Sequence, residues 1–218
     1  TGEYLNDKLN NNTVNKVVKA FCGFGMSIDP DDIPTRSFFP AVRSLYKYGG
    51  PGTIVGGCSA LTNSLAKGKN IIKKKIKEIA IENNEVKGII DSEGDFYEDS
   101  IVISDIGIKG TVKLAGKKHF PSDYLKKIDN LKEAEGIKIN IATKESIIDH
   151  NGILITCDAE RVEGLNQVTN VDPSLAPKGY HLIMTHQTLR SNNIKKEINL
   201  GLEDIEKIFE DKNYEILL

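Results

Sequence analysis

The segment Ile76–Ser104, IKEIAIENNEVKGIIDSEGDFYEDSIVIS, carries the clearest fold signal in the chain. Its first part, Ile76–Ile81, is rich in isoleucine and predicts a strand, as does Val86–Ile90 a few residues later. The Asn83-Asn84 pair between them is typical of a tight hairpin turn, because asparagine tolerates the left-handed backbone that such turns require. The segment therefore begins as an antiparallel hairpin.

A third strand is predicted to extend this hairpin into a β-meander at about residues 71–104. Ser92–Asp95 supplies the second turn, and Phe96–Ser104 follows as the strand. That strand ends in Ile101-Val102-Ile103, a continuously apolar run that is typical of a strand buried on both faces. Such a run predicts neighbours in a larger sheet than the meander alone provides.

The rest of the chain combines helical and strand patterns. Apolar residues at helical spacing follow the capping residues Asn12 and Thr13, and a second helix begins at Thr35 or Ser37. Beyond the meander, Ile137–Ile141 alternates as a half-buried strand, and the chain closes with an amphipathic helix around Leu202–Phe209. The predicted class is α+β: a mostly antiparallel mixed sheet with helices packed on one side.

The charge balance excludes some classes of partner. The 218 residues include 29 basic and 31 acidic ones, a formal net charge of −2 that gives no reason to expect nucleic acid or an anionic membrane as the main partner. The lysine-rich stretch Lys67–Lys77 is interpreted as a solvated surface, since no aromatic residues interleave it. No apolar run approaches the ~18 residues that a membrane-spanning helix needs.

The cysteines and histidines predict neither disulfides nor a metal site. Cys22, Cys58 and Cys157 are odd in number, far apart and set among apolar residues, a pattern that favours reduced thiols and a cytoplasmic protein. The four histidines show no pairing with cysteine at metal-ligand spacing. The sequence also lacks a complete G-x-G-x-x-G fingerprint, a P-loop and a G-x-S-x-G elbow, so we assign no catalytic residue.

One aromatic group on the second helix could have a functional role. Phe38, Phe39 and Tyr46, with Tyr48 after them, could line a pocket for a large apolar substrate. Packing in the protein core is the alternative, and before any other information the residue types favour it.

Four stretches, taken in chain order, resemble the middle of phytoene dehydrogenase-type flavoproteins, which belong to the amine oxidase family of FAD-dependent oxidoreductases. They are Ala20–Ser27 with Pro30–Pro34; Tyr48–Gly52 followed by Gly56–Leu61; the meander running into Ser104-Asp105-Ile106-Gly107; and Val168–His181 with its Asp-Pro-Ser-Leu-Ala-Pro core. The order extends over nearly the whole chain. Asp105 stands where the family more often has asparagine, and the passage from Leu65 to Ile71 is shorter than usual.

The resemblance implies that residues 1–218 form the substrate-side domain of a longer enzyme, with the meander joining an FAD-binding fold that this sequence lacks. A chain that begins at Thr1 agrees with an excised domain. By the same resemblance, the backbone of Ile76 contacts the adenine of FAD, and Phe38, Phe39 and Tyr46 line the substrate cavity.

The activity implied is transfer of hydride from a large apolar, isoprenoid-like substrate to FAD, with the 218-residue chain inactive and unable to bind FAD tightly by itself. Two alternatives remain: an amine or protoporphyrinogen oxidase domain, and a non-catalytic module that binds an apolar ligand. The resemblance also leaves open proximity to a membrane in the longer protein. A homodimer could form through the sheet edge exposed at Ile101–Ile103.

Overall fold

The computed structural model describes residues 1–50 and 52–217; Pro51, inside the predicted helix break Tyr48–Gly52, and Leu218 lie outside the described residues. Its helices are α1 (Gly2–Leu9), α2 (Asn12–Met26), α3 (Thr35–Tyr48), α4 (Gly57–Ala66), α5 (Ile108–Ala115), α6 (Ser122–Asp129) and α7 (Ile194–Ile208). Its strands are β1 (Ile76–Glu82), β2 (Glu85–Asp91), β3 (Phe96–Glu98), β4 (Gly136–Ile137), β5 (Asn140–Thr143), β6 (Leu154–Ile155), β7 (Gly164–Gln167), β8 (His181–Thr188) and β9 (Tyr214–Leu217).

The predicted α+β class is confirmed, and every strand pair described is antiparallel. The chain divides into two compact units, one of residues 1–65 with 134–218 and one of residues 66–133. The first is called the sheet–helix unit and the second the meander unit. The prediction that residues 1–218 act as one substrate-side domain concerns their role in a longer enzyme and stays a prediction.

The meander unit contains the predicted hairpin. Its sheet has the order β1-β2-β3, and Asn83 and Asn84 adopt φ angles of 51° and 62° in the turn between β1 and β2. Asp91, fully buried at the end of β2, accepts hydrogen bonds from the backbone N–H groups of Glu93 and Asp95. Lys74 Nζ lies 3.4 Å from the Asp91 carboxylate, so a lysine ammonium neutralises this acidic turn.

The third strand is shorter than predicted. It ends at Glu98, and Ile101 and Ile103 lie beyond it with 73% and 93% of their surface exposed. The apolar run was expected to pair within a larger sheet, but among the described residues β3 pairs only with β2, from Phe96 to Glu98. A segment without strand neighbours has no ladder to stabilise it, so it continues as exposed irregular chain.

The sheet–helix unit is built on a second sheet, of order β6-β7-β8-β5-β9, with β4 also paired to β8. Its main core lies between one face of this sheet and α7, where Ile141, Leu165 and Ile183 meet Ile205 and Phe209. All five side chains are almost completely buried. The apolar face of α7 therefore determines which face of the sheet becomes core.

A smaller apolar cluster joins the first three helices. Leu5 of α1, Cys22 of α2 and Phe38 of α3 are buried together with Ile33, which lies just before α3. Burial raises the pKa of the Cys22 thiol to about 11, so the thiol stays protonated at neutral pH. Cys58 is exposed, Cys157 is half-buried and all three thiols are free.

No helix within residues 1–50 and 52–217 combines the length and the apolar character needed to cross a bilayer.

We expect Ile79→Ala and Ile103→Ala to differ sharply in stability. Ile79 is buried in β1, so truncation should lower the free energy of unfolding by about 2–4 kcal/mol, whereas Ile103→Ala should change it by less than about 0.5 kcal/mol. Urea unfolding measures both values. A similar loss for Ile103→Ala would contradict an exposed segment and would indicate self-association there, which light scattering detects.

Candidate substrate-facing sheet surface

Strand β8 separates two environments, because its side chains alternate between the faces of the sheet. Ile183 and Gln187 point to the α7 side, where the Gln187 amide nitrogen donates to the Glu197 carbonyl at 2.8 Å. Leu182, Met184 and His186 point to the opposite face. We call that opposite face the substrate-facing surface, after the role that we propose for it.

A cross-strand row marks the centre of this surface. Met184 lies directly opposite Asn140 of β5 on one side and Asn166 of β7 on the other. Leu182 and Ala142 form the next row, also as direct partners. All five side chains are only half-buried, although they lie on the three central strands of the sheet. A central sheet face left partly open is where a ligand or another layer of protein can bind.

Two features distinguish this surface from ordinary packing. The Asn140 Oδ1 atom is buried and accepts no hydrogen bond from the described residues, so its capacity as an acceptor is unused. A cavity of about 470 Å³ adjoins one end of the surface, where Ala142 lines it together with Tyr180 and Glu215; Met184, Asn140 and Asn166 do not line it. The surface thus combines apolar side chains with a free amide acceptor.

Helix α2 covers the other end of the same face. The His186 ring packs edge-on against Phe24 with centroids 6.1 Å apart, and its Nε2 lies 2.8 Å from the Ser27 hydroxyl. His186 Nδ1 is buried and has no partner among the described residues. Burial, and then the nearby positive charge of Lys138, hold the pKa of His186 below its usual value, so the imidazole is neutral.

A buried carboxylate connects α2 to the sheet. Glu163 accepts hydrogen bonds from the Thr188 backbone N–H at 2.9 Å and the Thr188 hydroxyl at 2.7 Å, and from Arg190 at 2.6 Å. Burial raises the pKa of Glu163, while Thr188 and Arg190 act in the opposite direction. A Cβ atom at Gly23 of α2 would lie about 2 Å from this carboxylate, so only glycine lets the helix approach so closely.

The segment that leads into β7 is fixed from the α7 side. The Asp204 carboxylate accepts hydrogen bonds from the backbone N–H groups of Glu160, Arg161 and Val162, at 2.6–3.1 Å. Arg161 in turn pairs with the buried Glu197 of α7 at 2.8 Å. These contacts position Glu163, which follows Val162 and directly precedes β7.

Two stretches of the family resemblance touch each other in the structure. The Gly56 backbone N–H donates to the Asp172 carboxylate at 2.7 Å across a sequence separation of 116 residues, and the Ser174 N–H donates to the same carboxylate at 2.9 Å. The Ser174 hydroxyl also donates to this carboxylate. That bond contributes most, followed by the two backbone N–H donors, and together they hold the pKa of Asp172 below its usual value. The ionised Asp172 therefore anchors the entry to α4.

The aromatic residues predicted to line a substrate cavity are dispersed along α3. Phe38 is buried in the helical cluster, and its ring centroid lies 5.5 Å from that of Phe39. Phe39 is half-buried and also contacts Tyr4, whereas Tyr46 is 94% exposed two turns further on. The structure thus brings Phe38 and Phe39 together and separates Tyr46 from them. Their role towards a substrate stays a prediction.

Ile76, predicted to contact adenine through its backbone, is the first residue of β1 and is half-buried. Strand β1 lies at the edge of the meander sheet and pairs only with β2 among the described residues. Within the described residues, no other strand therefore pairs with the outer backbone N–H and C=O groups of β1. Such unpaired main-chain groups suit recognition of the edge of a nucleotide base.

The sequence-based reasoning missed the central row of the substrate-facing surface. Its signal was present in the alternation of Ile137–Ile141, where Asn140 must point away from the core. Nothing in the sequence shows that Asn140, Asn166 and Met184 share a row, because that depends on the register of three strands distant in the chain.

Comparison with known proteins shows the family to which the chain belongs. Residues 5–215 match the profile of the family described as flavin containing amine oxidoreductase. A protein of Methanocaldococcus jannaschii is 48% identical over 205 residues, which are 93% of this chain and 49% of that protein. The amine oxidase part of the resemblance inferred from the motifs is confirmed.

Two solved structures share the fold. An oxidoreductase from Methanosarcina mazei matches with a TM-score of 0.88 and 33% identity, over 99% of this chain and 54% of that one. A protein from Pyrococcus furiosus matches with a TM-score of 0.86 and 33% identity, over 100% of this chain and 56% of that one. This chain spans about half the length of the relatives that it matches.

The neutral, buried His186 should make the protein less stable in mild acid. Because its folded pKa is lowered, the unfolded state gains a proton that the folded state does not, once the pH falls below about 6.5. Stability should therefore decline below pH 6.5, by at most about 1.4 kcal/mol per pH unit for one proton, until the folded pKa is reached.

Urea unfolding at a series of pH values measures this effect. His186→Gln should show a shallower decline in stability than the wild type, and His150→Gln, at an exposed position, should decline as steeply as the wild type. A slope that His186→Gln leaves unchanged would show that other groups cause the pH dependence.

Gly23→Ala and Gly25→Ala form a matched pair on α2. The added methyl at Gly23 would collide with the Glu163 carboxylate, so we expect a loss of about 2 kcal/mol or more in unfolding free energy. A Cβ atom at Gly25 would meet no atom within 4 Å beyond its chain neighbours and the backbone of its own helix, so Gly25→Ala should stabilise the helix by about 0.5 kcal/mol. Equal effects in thermal unfolding would refute the close approach of α2 to Glu163.

Proposed function

This chain belongs to the flavin-containing amine oxidoreductase family, and we propose that it is the substrate-side part of an enzyme that oxidises a large apolar, isoprenoid-like molecule. The observation that supports this proposal is the substrate-facing surface, where Met184, Leu182 and Ala142 remain half-buried on the central strands of a sheet. A surface of this kind gains free energy when an apolar molecule displaces water from it.

The side chains of this surface suit a long substrate without strong polar groups. Met184 is unbranched and adaptable, so it can follow an irregular hydrocarbon chain. Leu182 and Ala142 extend the apolar area along the strands. Bound flavin supplies the hydride acceptor, and the work left to this chain is to orient the substrate and exclude water. That division of labour agrees with a sequence in which no acid–base motif stands out.

The cofactor that we propose is FAD. The open edge of β1 fits the adenine contact proposed for the backbone of Ile76, because its outward main-chain groups are not used by a neighbouring strand among the described residues. This sequence contains no complete G-x-G-x-x-G fingerprint for the pyrophosphate. We therefore expect tight FAD binding, and activity, only in a protein of the relatives' full length.

A substrate that carries an amine is the second candidate, and one observation favours it. The Asn140 Oδ1 atom is a buried acceptor with no donor among the described residues. A bound N–H group that reached it would relieve the cost of about 1–3 kcal/mol that a buried unpaired acceptor carries, whereas a pure hydrocarbon would leave that cost unchanged. Asn166, across Met184 in the same row, places a second amide nearby.

Three further statements belong to the same proposal. We place the enzyme in the cytoplasm, in agreement with three free thiols. The apolar segment around Ile101 and Ile103 would pair with a second copy of the chain wherever no other part of the protein covers it. A non-catalytic module that binds apolar ligands is the alternative to an enzyme.

The decisive experiment uses the flavin-loaded protein of full length and measures anaerobic bleaching of the oxidised flavin by a polyene and by an amine. If the substrate is apolar, Met184→Asn should slow flavin reduction by the polyene at least ~10-fold through a raised KM. The reason is that the introduced amide would lose its hydrogen bonds to water when the apolar substrate covers it. If the substrate is an amine, Asn140→Leu should slow flavin reduction by the amine to a similar extent.

Asn192→Leu, at an exposed position of the loop before α7, is the matched control and should leave both rates unchanged. Calorimetry with FAD precedes the kinetics. If neither this chain nor the full-length protein binds FAD, the enzyme proposal fails and the ligand-binding module takes its place.

A further inference from the structure

Helix α3 is exposed from its sixth residue onwards. Phe38 is buried, but every described residue from Pro40 to Gly50 is exposed. The apolar stripe that Phe38 begins continues on the exposed part through Val42 and Leu45, at the i+4 and i+7 positions of a helix. Within the described residues, nothing covers this continuation.

Aromatic and aliphatic side chains extend the uncovered apolar area. Tyr46 follows the stripe, and Tyr48 ends the helix with 74% of its surface exposed. Val55, in the loop that leads to α4, is 83% exposed. Monomeric proteins seldom leave large apolar side chains exposed in such number on consecutive turns, so the area fits an interaction surface.

The other side of the exposed helix is basic. Arg36, Arg43 and Lys47 stand at positions i, i+7 and i+11, which places them in one line along the helix. The three side chains are exposed. Helix α3 therefore has an apolar stripe and a basic stripe and contains no acidic residue.

The charge of the surrounding sequence has the same sign. Residues 33–65, all in the sheet–helix unit, contain three basic residues and no acidic one. In a chain with a formal net charge of −2, this is a strong local asymmetry. The partner of this surface should therefore be negatively charged.

Both ends of the surface are attached to the unit. Phe38 fixes the start of α3 in the helical cluster, and the Gly56 hydrogen bond to Asp172 fixes the entry to α4. A Cβ atom at Gly57 would lie 3.2 Å from Leu175, so the chain is also closely packed at that point. The exposed part of α3 is thus held in place and is not a free tail.

We propose that the exposed part of α3 docks the protein on the surface of a membrane that contains anionic lipids. Val42, Leu45 and Tyr46 would enter the boundary between headgroups and acyl chains, while Arg36, Arg43 and Lys47 pair with lipid phosphates. Apolar insertion combined with electrostatic attraction is how amphipathic helices bind bilayers. Tyrosine suits the headgroup level because its ring is apolar and its hydroxyl is polar.

The charge pattern disfavours the other occupants of this surface. Two copies packed through the apolar stripe would leave Arg36, Arg43 and Lys47, on the other side of the helix, without anionic partners. The remainder of a full-length enzyme could cover α3, in which case the full-length protein would fail to bind vesicles. The docking proposal rests on α3 alone, so it stands or falls independently of the proposed substrate.

Co-sedimentation with vesicles tests the proposal, using the 218-residue chain and the flavin-loaded full-length protein in parallel. Both should bind vesicles that contain phosphatidylglycerol and should bind pure phosphatidylcholine weakly, with binding reduced by added salt. Arg43→Glu combined with Lys47→Glu should lower the partition coefficient at least ~10-fold. Lys195→Glu combined with Lys207→Glu, the same charge change on α7, should lower it no more than ~2-fold.

Tyr46→Trp reports the depth of insertion, because the chain contains no tryptophan of its own. Its fluorescence should shift to the blue on binding and be quenched by brominated lipid. Binding without a shift, equal losses in both charge variants, or a full-length protein that fails to bind while the 218-residue chain does would each overturn the proposal. So would a concentration-dependent dimer that the α3 variants abolish.

Discussion

The buried carboxylate of Glu163 is the contact on which the sheet–helix unit depends. It accepts hydrogen bonds from both polar groups of Thr188 and pairs with Arg190, and α2 passes over it at a glycine. A buried ion pair is costly to break, because removing one partner leaves an unpaired charge at a cost of about 3–5 kcal/mol. Its geometry therefore determines where α2 lies over β7 and β8.

The position of α2 determines which part of the sheet remains open. The helix covers the end of the face at His186 and Thr188, and it leaves the row of Asn166, Met184 and Asn140 half-buried. The opposite face is closed by α7, whose apolar side chains complete the core. One sheet thus provides a closed core on one side and a partly open face on the other, and the side chains of that open face stand on regular strands and not on loops.

The apolar residues that remain exposed lie in both units. In the meander unit, Ile101 and Ile103 lie beyond the end of β3, in a segment that follows its last paired residue. In the sheet–helix unit, α3 carries an apolar and a basic stripe beyond its own cluster. The two segments differ in chemistry: the first offers unpaired backbone and fits another strand, whereas the second offers cations and aromatic rings and fits an anionic surface.

Local patterns in the sequence were enough to predict the main elements and the family. The Asn83-Asn84 turn, the α+β class and the ordered motifs of a flavin oxidoreductase were all predicted correctly, because turn chemistry and hydrophobic period act over a few residues. The folded chain was needed to establish that Phe38 is core and Tyr46 is exposed, that Ile101–Ile103 is not a strand, and that Asn140 and Asn166 flank Met184. Those outcomes depend on which segments become neighbours. Neighbours are selected by the register of distant strands and by close contacts such as Gly23 against Glu163, which no local pattern encodes.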